Sequence, residues 1–341
     1  MIKPLVVSAV RQETPEVKTF LFDAPELPYQ AGQYLTLVHP HNDEVRRSYS
    51  ISSAPGLGEP LAMTVKRVAN GLFSRYLVDT IHPGDTLRTI GAGGFFTLPD
   101  NVAKEADQMF FFAAGNGITP IYALLKSLLH QHPSLHAVLI YSNRTPEHTI
   151  FYQELQHLAS QFADRLKVEF LFSNHPVLAR ARLYRDLLES FVKQYLVTTP
   201  ARTLAYLCGP LNYMRMCVYG LREIGIPLAN IRRENFNPET ALPVADEPSD
   251  TDPHGVTVRL LHHTYQFQTQ YPITILQAAK KQGIALPYSC GNGVCGSCVL
   301  RCTAGQVWMS TNDVLTHRDL AKGLILTCTG YPMGGDVQLE L

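Results

Sequence analysis

The chain has no net charge, with 29 basic against 29 acidic side chains in 341 residues. That balance gives no footing for a nucleic-acid surface, which needs a basic stripe or patch. Thirteen histidines are scattered, and none falls into the H-E-x-x-H spacing of a zinc enzyme. Long apolar runs are also missing. The longest apolar region, "MFFFAAGNGITPIYALL", is interrupted by Gly115, Asn116, Gly117 and Pro120, whereas a membrane span needs ~20 mostly apolar residues in succession. The run from Leu5 to Val10 is too short for a secretory signal. Cysteine is scarce: the seven are odd in number and clustered late, which does not suit a secreted disulfide framework. These absences predict a soluble protein of a reducing cytoplasm, with no nucleic-acid partner and no membrane insertion.

What is present reads as several domains, and the length suggests two or three. The first hundred residues hold short β-rich runs, "PLVVSAVRQ", "VKTFLFDA", "QYLTLVHP", "RRSYSISSA" and "LAMTVKRVA", separated by turns such as "NDE" and "PGLGEP". Such spacing predicts an antiparallel barrel or sandwich over 1–104. From about residue 105 buried strands alternate with helical patterns: "QMFFFAAG", "TPIYALLKSLLHQH", "HAVLIYSN", "PEHTIFYQELQHLASQF" and onward. That is the rhythm of an α/β domain with a parallel sheet, over 105–236. The stretch 237–254 holds four prolines and five acids without lysine or arginine, and predicts a semi-extended linker. A compact tail follows, 255–341.

That tail contains "YSCGNGVCGSC". Cys290, Cys295 and Cys298 stand in C-x4-C-x2-C spacing. Thiolates are soft ligands suited to iron–sulfur clusters or zinc, and this spacing with a remote fourth cysteine is the plant-type [2Fe–2S] pattern. Cys302 would lie roughly 13 Å from Cys298 along a strand at ~3.3 Å per residue. Cys328 in "LTCTGYP" is therefore the expected fourth ligand. A structural four-cysteine zinc site is the other reading, although zinc sites usually pair two C-x2-C knuckles. Cys217 and Cys302 are expected to serve packing.

Four further motifs are individually ambiguous. "RRSYSISS" places Arg47 and Tyr49 on one face of a strand and Ser48 and Ser50 on the other. Arginine beside tyrosine suits a phosphate and an aromatic ring, but ordinary strand packing looks the same. In "VANGLFSRYL", Gly71 and Ser74 open a helix whose N-terminus could meet a phosphate or be an ordinary cap. "FAAGNGITP" sets Gly115 and Gly117 between a buried strand and a helix beginning near Thr119, with Pro120 where a third glycine would stand in G-x-G-x-x-G. "LCGP" ends a strand at Cys208, Gly209 and Pro210, where open α/β sheets bind ligands. A small buried cysteine would read identically.

In series these motifs, closed by "ENF", resemble the ferredoxin–NADP reductase family across 1–236, and 255–341 resembles a plant-type ferredoxin. The whole chain is similar to the reductase components of multicomponent oxygenases, of the phenylacetyl-CoA oxygenase type. The resemblance implies a flavin barrel, a nucleotide-binding α/β domain and a β-grasp ferredoxin domain with Cys290, Cys295, Cys298 and Cys328 on [2Fe–2S]. It implies FAD held by Arg47, Tyr49, Ser50, Gly71 and Ser74. Gly115, Gly117, Thr119, Cys208, Gly209 and Pro210 would contact the nucleotide, and Glu234 and Phe236 would lie near the flavin. Ser50 and Cys208 carry the expected catalytic roles. The expected activity takes electrons from NAD(P)H through FAD and the cluster to an oxygenase or hydroxylase. Arg144, with Ser173, Arg180 and Arg182 after the next strand, leans the donor toward NADPH rather than NADH. Unlike free plant ferredoxins, the tail is not acidic, with six Lys/Arg against four Asp/Glu. A different acceptor (flavodoxin, desaturase or free ferredoxin) and a non-catalytic redox sensor with a zinc-bound tail are the competing readings.

Overall fold

Period-two alternation in the first hundred residues builds strands with one apolar face. The computed structural model describes residues 2–24, 27–236, 247–260 and 263–341. Contacts divide the chain into two compact units, Met1–Glu234 and Asn235–Leu341. The expected linker falls largely outside the described residues, at 237–246.

In the first unit, β1 (Lys3–Thr14), β2 (Val17–Asp23), β3 (Tyr34–His39), β4 (Asn42–Ser50), β5 (Leu61–Lys66), α1 (Leu72–Thr80) and β6 (Thr86–Gly93) form the amino-terminal layer. The six strands pair antiparallel in the order β4-β3-β6-β1-β2-β5. Ile51, just past β4, bridges Met63 of β5, and Ser52 N donates to Ala62 O at 2.8 Å. Those contacts close the sheet into a barrel. Phe20, Phe22, Leu35, Leu37, Ile51 and Met63 fill it, all fully buried.

One expected turn moves. Asn42, Asp43 and Glu44 belong to β4, and the hairpin turns at Pro40 and His41 instead. Proline has no N–H for a ladder, and Asp43 is held in β4 by a bidentate contact from Arg88 of β6, two strands away, at 2.8 and 3.2 Å.

The second layer begins with α2 (Val102–Glu105) and continues through β7 (Gln108–Ala114), α3 (Ile118–Gln131), β8 (His136–Asn143), α4 (Tyr152–Gln161), β9 (Leu166–Phe172), α5 (Arg185–Tyr195), β10 (Thr203–Cys208), α6 (Leu211–Glu223) and β11 (Ile231–Glu234). The strands form a parallel sheet in the order β11-β10-β7-β8-β9. The strands β7, β8, β9 and β10 each feed two cores. Phe111 joins Ile121, Leu125 and Leu155 on the side of α3 and α4, while Phe110 and Phe112 join Leu188 and Leu221 on the side of α5 and α6. Gln108 anchors the start of β7: its Nε2 donates to Tyr195 O at 2.7 Å, and its Oε1 accepts from Val197 N at 2.9 Å. The helix expected from Pro146 is shorter than its pattern. It starts at Tyr152, because Phe151 takes a left-handed φ of 59° while stacking on Tyr122 with ring centroids 4.4 Å apart.

The second unit contains β12 (His254–Leu260), β13 (His263–Thr269), α7 (Ile275–Lys281), β14 (Val299–Met309), α8 (His317–Ala321), β15 (Leu324–Leu326) and β16 (Gly330–Glu340). Its mixed sheet runs β13-β12-β16-β14-β15, with β12 and β16 parallel, and α7 lies against β13 and β16. This is the expected β-grasp arrangement. The α7 N-terminus is closed by a reciprocal cap between Thr274 and Gln277. Among the described residues no helix is long and apolar enough to cross a membrane.

Candidate functional site

The parallel sheet changes winding direction between β7 and β10, and open α/β sheets bind ligands at such a switch point. Two turns meet there. A methyl placed on Gly117 would stand 2.0 Å from the Cys208 carbonyl oxygen, so the G-N-G turn presses directly on the C-G-P turn. One on Gly209 would stand 2.9 Å from Ala114 Cβ. Both glycines thus serve close backbone approach. Thr119 is fully buried and donates to Asn116 O at 3.0 Å. Asn116 Oδ1 is buried with no hydrogen-bond partner. Motif reading passed over this asparagine, whose one signal was its place between the two glycines. A bare acceptor on a turn with open backbone fits a bound nucleotide.

Glu234 ends β11 in register with Cys208 at the end of β10. Ser50, at the end of β4 in the barrel, donates from Oγ to Glu234 Oε2 at 3.3 Å. The three residues therefore assemble from both layers of the first unit. Burial pushes the Glu234 carboxyl up to about 8, with the Ser50 hydroxyl pulling it back. Burial, and then the Glu234 carboxylate, push the Cys208 thiol well above its usual range. Cys208 is fully buried and thus a neutral thiol, small and uncharged, and Cys217 sits in the core on the buried face of α6.

On the barrel, Arg47 is exposed and Tyr49 half-buried. The Tyr49 ring lies edge-on to Phe73, 6.0 Å away, and burial raises its phenol. Gly71 is the N-cap of α1 and offers no side-chain cap, which leaves the first-turn amides without intrahelical acceptors. A methyl on Gly71 would meet Ser74 Oγ at 2.4 Å. The Ser74 hydroxyl is engaged within the turn: it accepts from Val68 N at 3.1 Å and donates to Gly71 O at 3.3 Å. Ser74 shapes this cradle, and the open groups are backbone amides, which fits a pyrophosphate.

Arg144 follows β8 and is exposed, as are Arg180 and Arg182 beyond β9. Ser173 N donates to Asn143 O at 2.9 Å, tying the two strand ends together. Phe236 belongs to the second unit and is 42% exposed.

In the second unit the four expected cysteines fall into two pairs. Cys298 donates to Cys328 between sulfurs 3.2 Å apart, and both are buried. The Cys295 thiol and the amides of Asn292, Val294 and Cys295 hold the Cys290 thiol below its ordinary range, and the same contact raises Cys295. Four cysteine sulfurs, one of them faced by backbone amides, are the donor set of a thiolate-held iron–sulfur cluster. Cys302 sits apart on β14, half-buried, donating to Ala304 O at 3.3 Å. It is not a core residue, contrary to the expectation of packing.

Residues 4–98 match the oxidoreductase FAD-binding domain family, 111–218 the oxidoreductase NAD-binding domain family and 261–333 the 2Fe-2S iron-sulfur cluster binding domain family. Fold and site together define a modular oxidoreductase that uses FAD, a nicotinamide nucleotide and a [2Fe–2S] cluster. Over its full length the chain is 34% identical to the ferredoxin reductase component of 3-ketosteroid-9-alpha-monooxygenase from Rhodococcus rhodochrous, covering 98% of this chain and 96% of that one. It is 31% identical to a component of 1,2-phenylacetyl-CoA epoxidase from Escherichia coli, again over 98% and 96%. Phthalate dioxygenase reductase shares the fold, with a TM-score of 0.61 at 23% identity over 100% of this chain and 98% of that one. The chain belongs to the ferredoxin reductase family whose members include these oxygenase reductase components.

Proposed function

We propose that this protein is an NAD(P)H-dependent reductase that delivers electrons, through FAD and its [2Fe–2S] cluster, to an oxygenase or hydroxylase partner. The observation that carries the reading is the meeting of Ser50, Cys208 and Glu234 across the two layers of the first unit, in a chain that also holds the four-cysteine loop. When bound, FAD supplies two-electron chemistry toward the nucleotide and one-electron chemistry toward the cluster.

The side chains position and shield. Arg47 and Tyr49 hold the flavin, Arg47 by its guanidinium on phosphate and Tyr49 by its ring face. The Gly71 cradle and the first-turn amides of α1 receive the pyrophosphate. Ser50 would lie at the flavin edge, with its hydroxyl held by Glu234. Gly115, Gly117, Gly209 and Pro210 leave room for the nucleotide, and Thr119 braces its turn. Cys208 forms a neutral wall beside the reacting face and excludes water from it. Glu234 keeps a proton at neutral pH within reach of Ser50. Phe236 is assigned to the flavin side, as "ENF" suggests, and Arg144 to a 2′-phosphate, which selects NADPH. Cys290, Cys295, Cys298 and Cys328 hold the cluster. The domains are assigned as 1–104, 105–236, 237–254 and 255–341. We assign the protein to a reducing cytoplasm, a reading supported by seven cysteines that form no disulfide.

Anaerobic titration with NADPH, followed by visible absorption and EPR, tests the reading. The expected result is bleaching of the flavin bands and the appearance of a paramagnetic cluster signal. Purified protein that contains zinc and stays unchanged on adding NADPH or NADH would overturn it.

A further inference from the structure

Helix α3 begins at the nucleotide turn, since Gly117 immediately precedes Ile118. Two turns further along, the same helix grips the loop that follows Ser50. Lys126, only 8% exposed, donates to both carboxylate oxygens of Glu59, the longer contact being 2.7 Å. Glu59 also accepts from Ala54 N at 2.5 Å. The Lys126 ammonium lies 4.5 Å from the centroid of the Tyr122 ring. Gln131 Nε2, one turn beyond, donates to Pro55 O at 2.8 Å, and Gln131 Oε1 accepts from Ser127 Oγ at 2.8 Å.

The segment between Ser50 and Ala54 is held from the barrel side as well. Ser52 Oγ and Thr64 Oγ1 are 2.8 Å apart, as are Thr64 Oγ1 and Thr19 Oγ1, and Thr19 donates to Glu13 at 2.6 Å. Ser53 Oγ lies 2.9 Å from Tyr29 OH. The barrel therefore fixes Ser52 and Ser53, and the nucleotide layer reaches this segment through Lys126 on Glu59 and Gln131 on Pro55.

From this geometry we infer that Glu59 and Lys126 are positioning residues for hydride transfer. They lock α3, and with it the G-N-G turn, to the strand end that carries Ser50. Neither touches the reacting atoms. Helix α3 acts as a strut with the nucleotide turn at one end and the Ser50 loop clamped along its length. The spacing between nucleotide and flavin then depends on an ion pair remote from both. Placement errors near one ångström cost on the order of a hundredfold in rate, so a loosened clamp shows in the rate before it shows in affinity. This rests on the NAD(P)H reductase reading above.

The test uses full-length, FAD-loaded protein. Glu59→Asp keeps the charge but draws the loop toward α3. Glu59→Gln with Lys126→Met keeps an acceptor for Ala54 N while removing both charges. Rates of flavin reduction are followed by stopped-flow absorbance, alongside nucleotide KM, bound FAD, melting temperature and hydrogen exchange at residues 51–54 and 117–121. The expected result is flavin reduction on the order of tenfold slower, with KM and FAD content unchanged and faster exchange in both segments. Reduction within twofold of wild type in either folded variant would overturn the inference, as would a slowdown matched by loss of FAD or of melting temperature. Should the double variant fail to fold, Glu59→Asp alone decides. Wild-type protein that NAD(P)H does not bleach would instead sink the reductase reading itself.

Discussion

Ser50 and Glu234 are 184 positions apart in sequence and 3.3 Å apart in space. The contact joins the fourth barrel strand to the last strand of the parallel sheet. It places a hydroxyl and a half-buried carboxyl beside the buried Cys208 thiol.

The first consequence is a pH dependence of stability. Glu234 is held up to about 8 from an ordinary value of 4.5. Between those values the folded protein keeps a proton that the unfolded chain has released, so stability falls as pH rises through that window. Glu234→Gln removes the ionisation. Its melting temperature relative to wild type should climb from pH 5 to pH 7 and level off above pH 8. A constant difference across pH would show that the Glu234 carboxyl is not raised in the folded protein.

Ser50 donates to Glu234 and so favours its ionised form. Ser50→Ala should raise the carboxyl further and shift the pH midpoint upward. It should also slow flavin reduction on the order of tenfold, the equivalent of one lost hydrogen bond, with FAD still bound. Unchanged stopped-flow bleaching would remove the role given to Ser50.

Two glycines in one turn should differ in their tolerance. Gly117→Ala drives a methyl into the Cys208 carbonyl, at a cost of about 3 kcal/mol because the obstacle is backbone. At Gly115, φ is 54° and the space is open, so Gly115→Ala should cost about 1 kcal/mol, the penalty of a left-handed L-residue. Urea unfolding of the two variants measures both, and equal costs would contradict the close approach of the two turns.

Cysteine variants should separate ligands from bystanders. Cys328→Ser breaks the pair with Cys298 and should abolish acid-labile sulfide and the visible cluster absorption. Cys302→Ser removes only a weak donor to Ala304 O and should leave both intact. Loss of cluster in the second variant would reassign the fourth ligand.

Nucleotide preference is checked at Arg144. Arg144→Ala should lower kcat/KM for NADPH while leaving that for NADH near wild type. Equal losses with both would move the 2′-phosphate contact to Arg180 or Arg182.

Much of this was legible in the sequence because its signals are local. The C-x4-C-x2-C loop, the alternating early strands and the strand–turn–helix at G-N-G each follow from neighbours a few positions apart. The turn expected at "NDE" failed because the deciding contact, Arg88 on Asp43, comes from 45 residues away. The helix expected from Pro146 was cut short by the stacking of Phe151 on Tyr122, again a distant partner. Ser74 looked like a free phosphate donor, yet its hydroxyl serves its own turn. Glu59 and Lys126 gave no signal at all. A lone acid in a glycine loop and a lone lysine on an apolar helix acquire meaning only once the chain has brought them together.

The run Met109–Ala114 is so uniformly apolar that hydrophobicity alone cannot say where β7 should stop. Sliding the strand by one position would exchange one greasy side chain for another, yet carry the G-N-G turn ~3.3 Å along the sheet. The ruler's zero mark is Gln108, whose amide is fixed at both of its atoms by Tyr195 and Val197. A side chain at the far end of the strand thereby sets the address of the nucleotide turn.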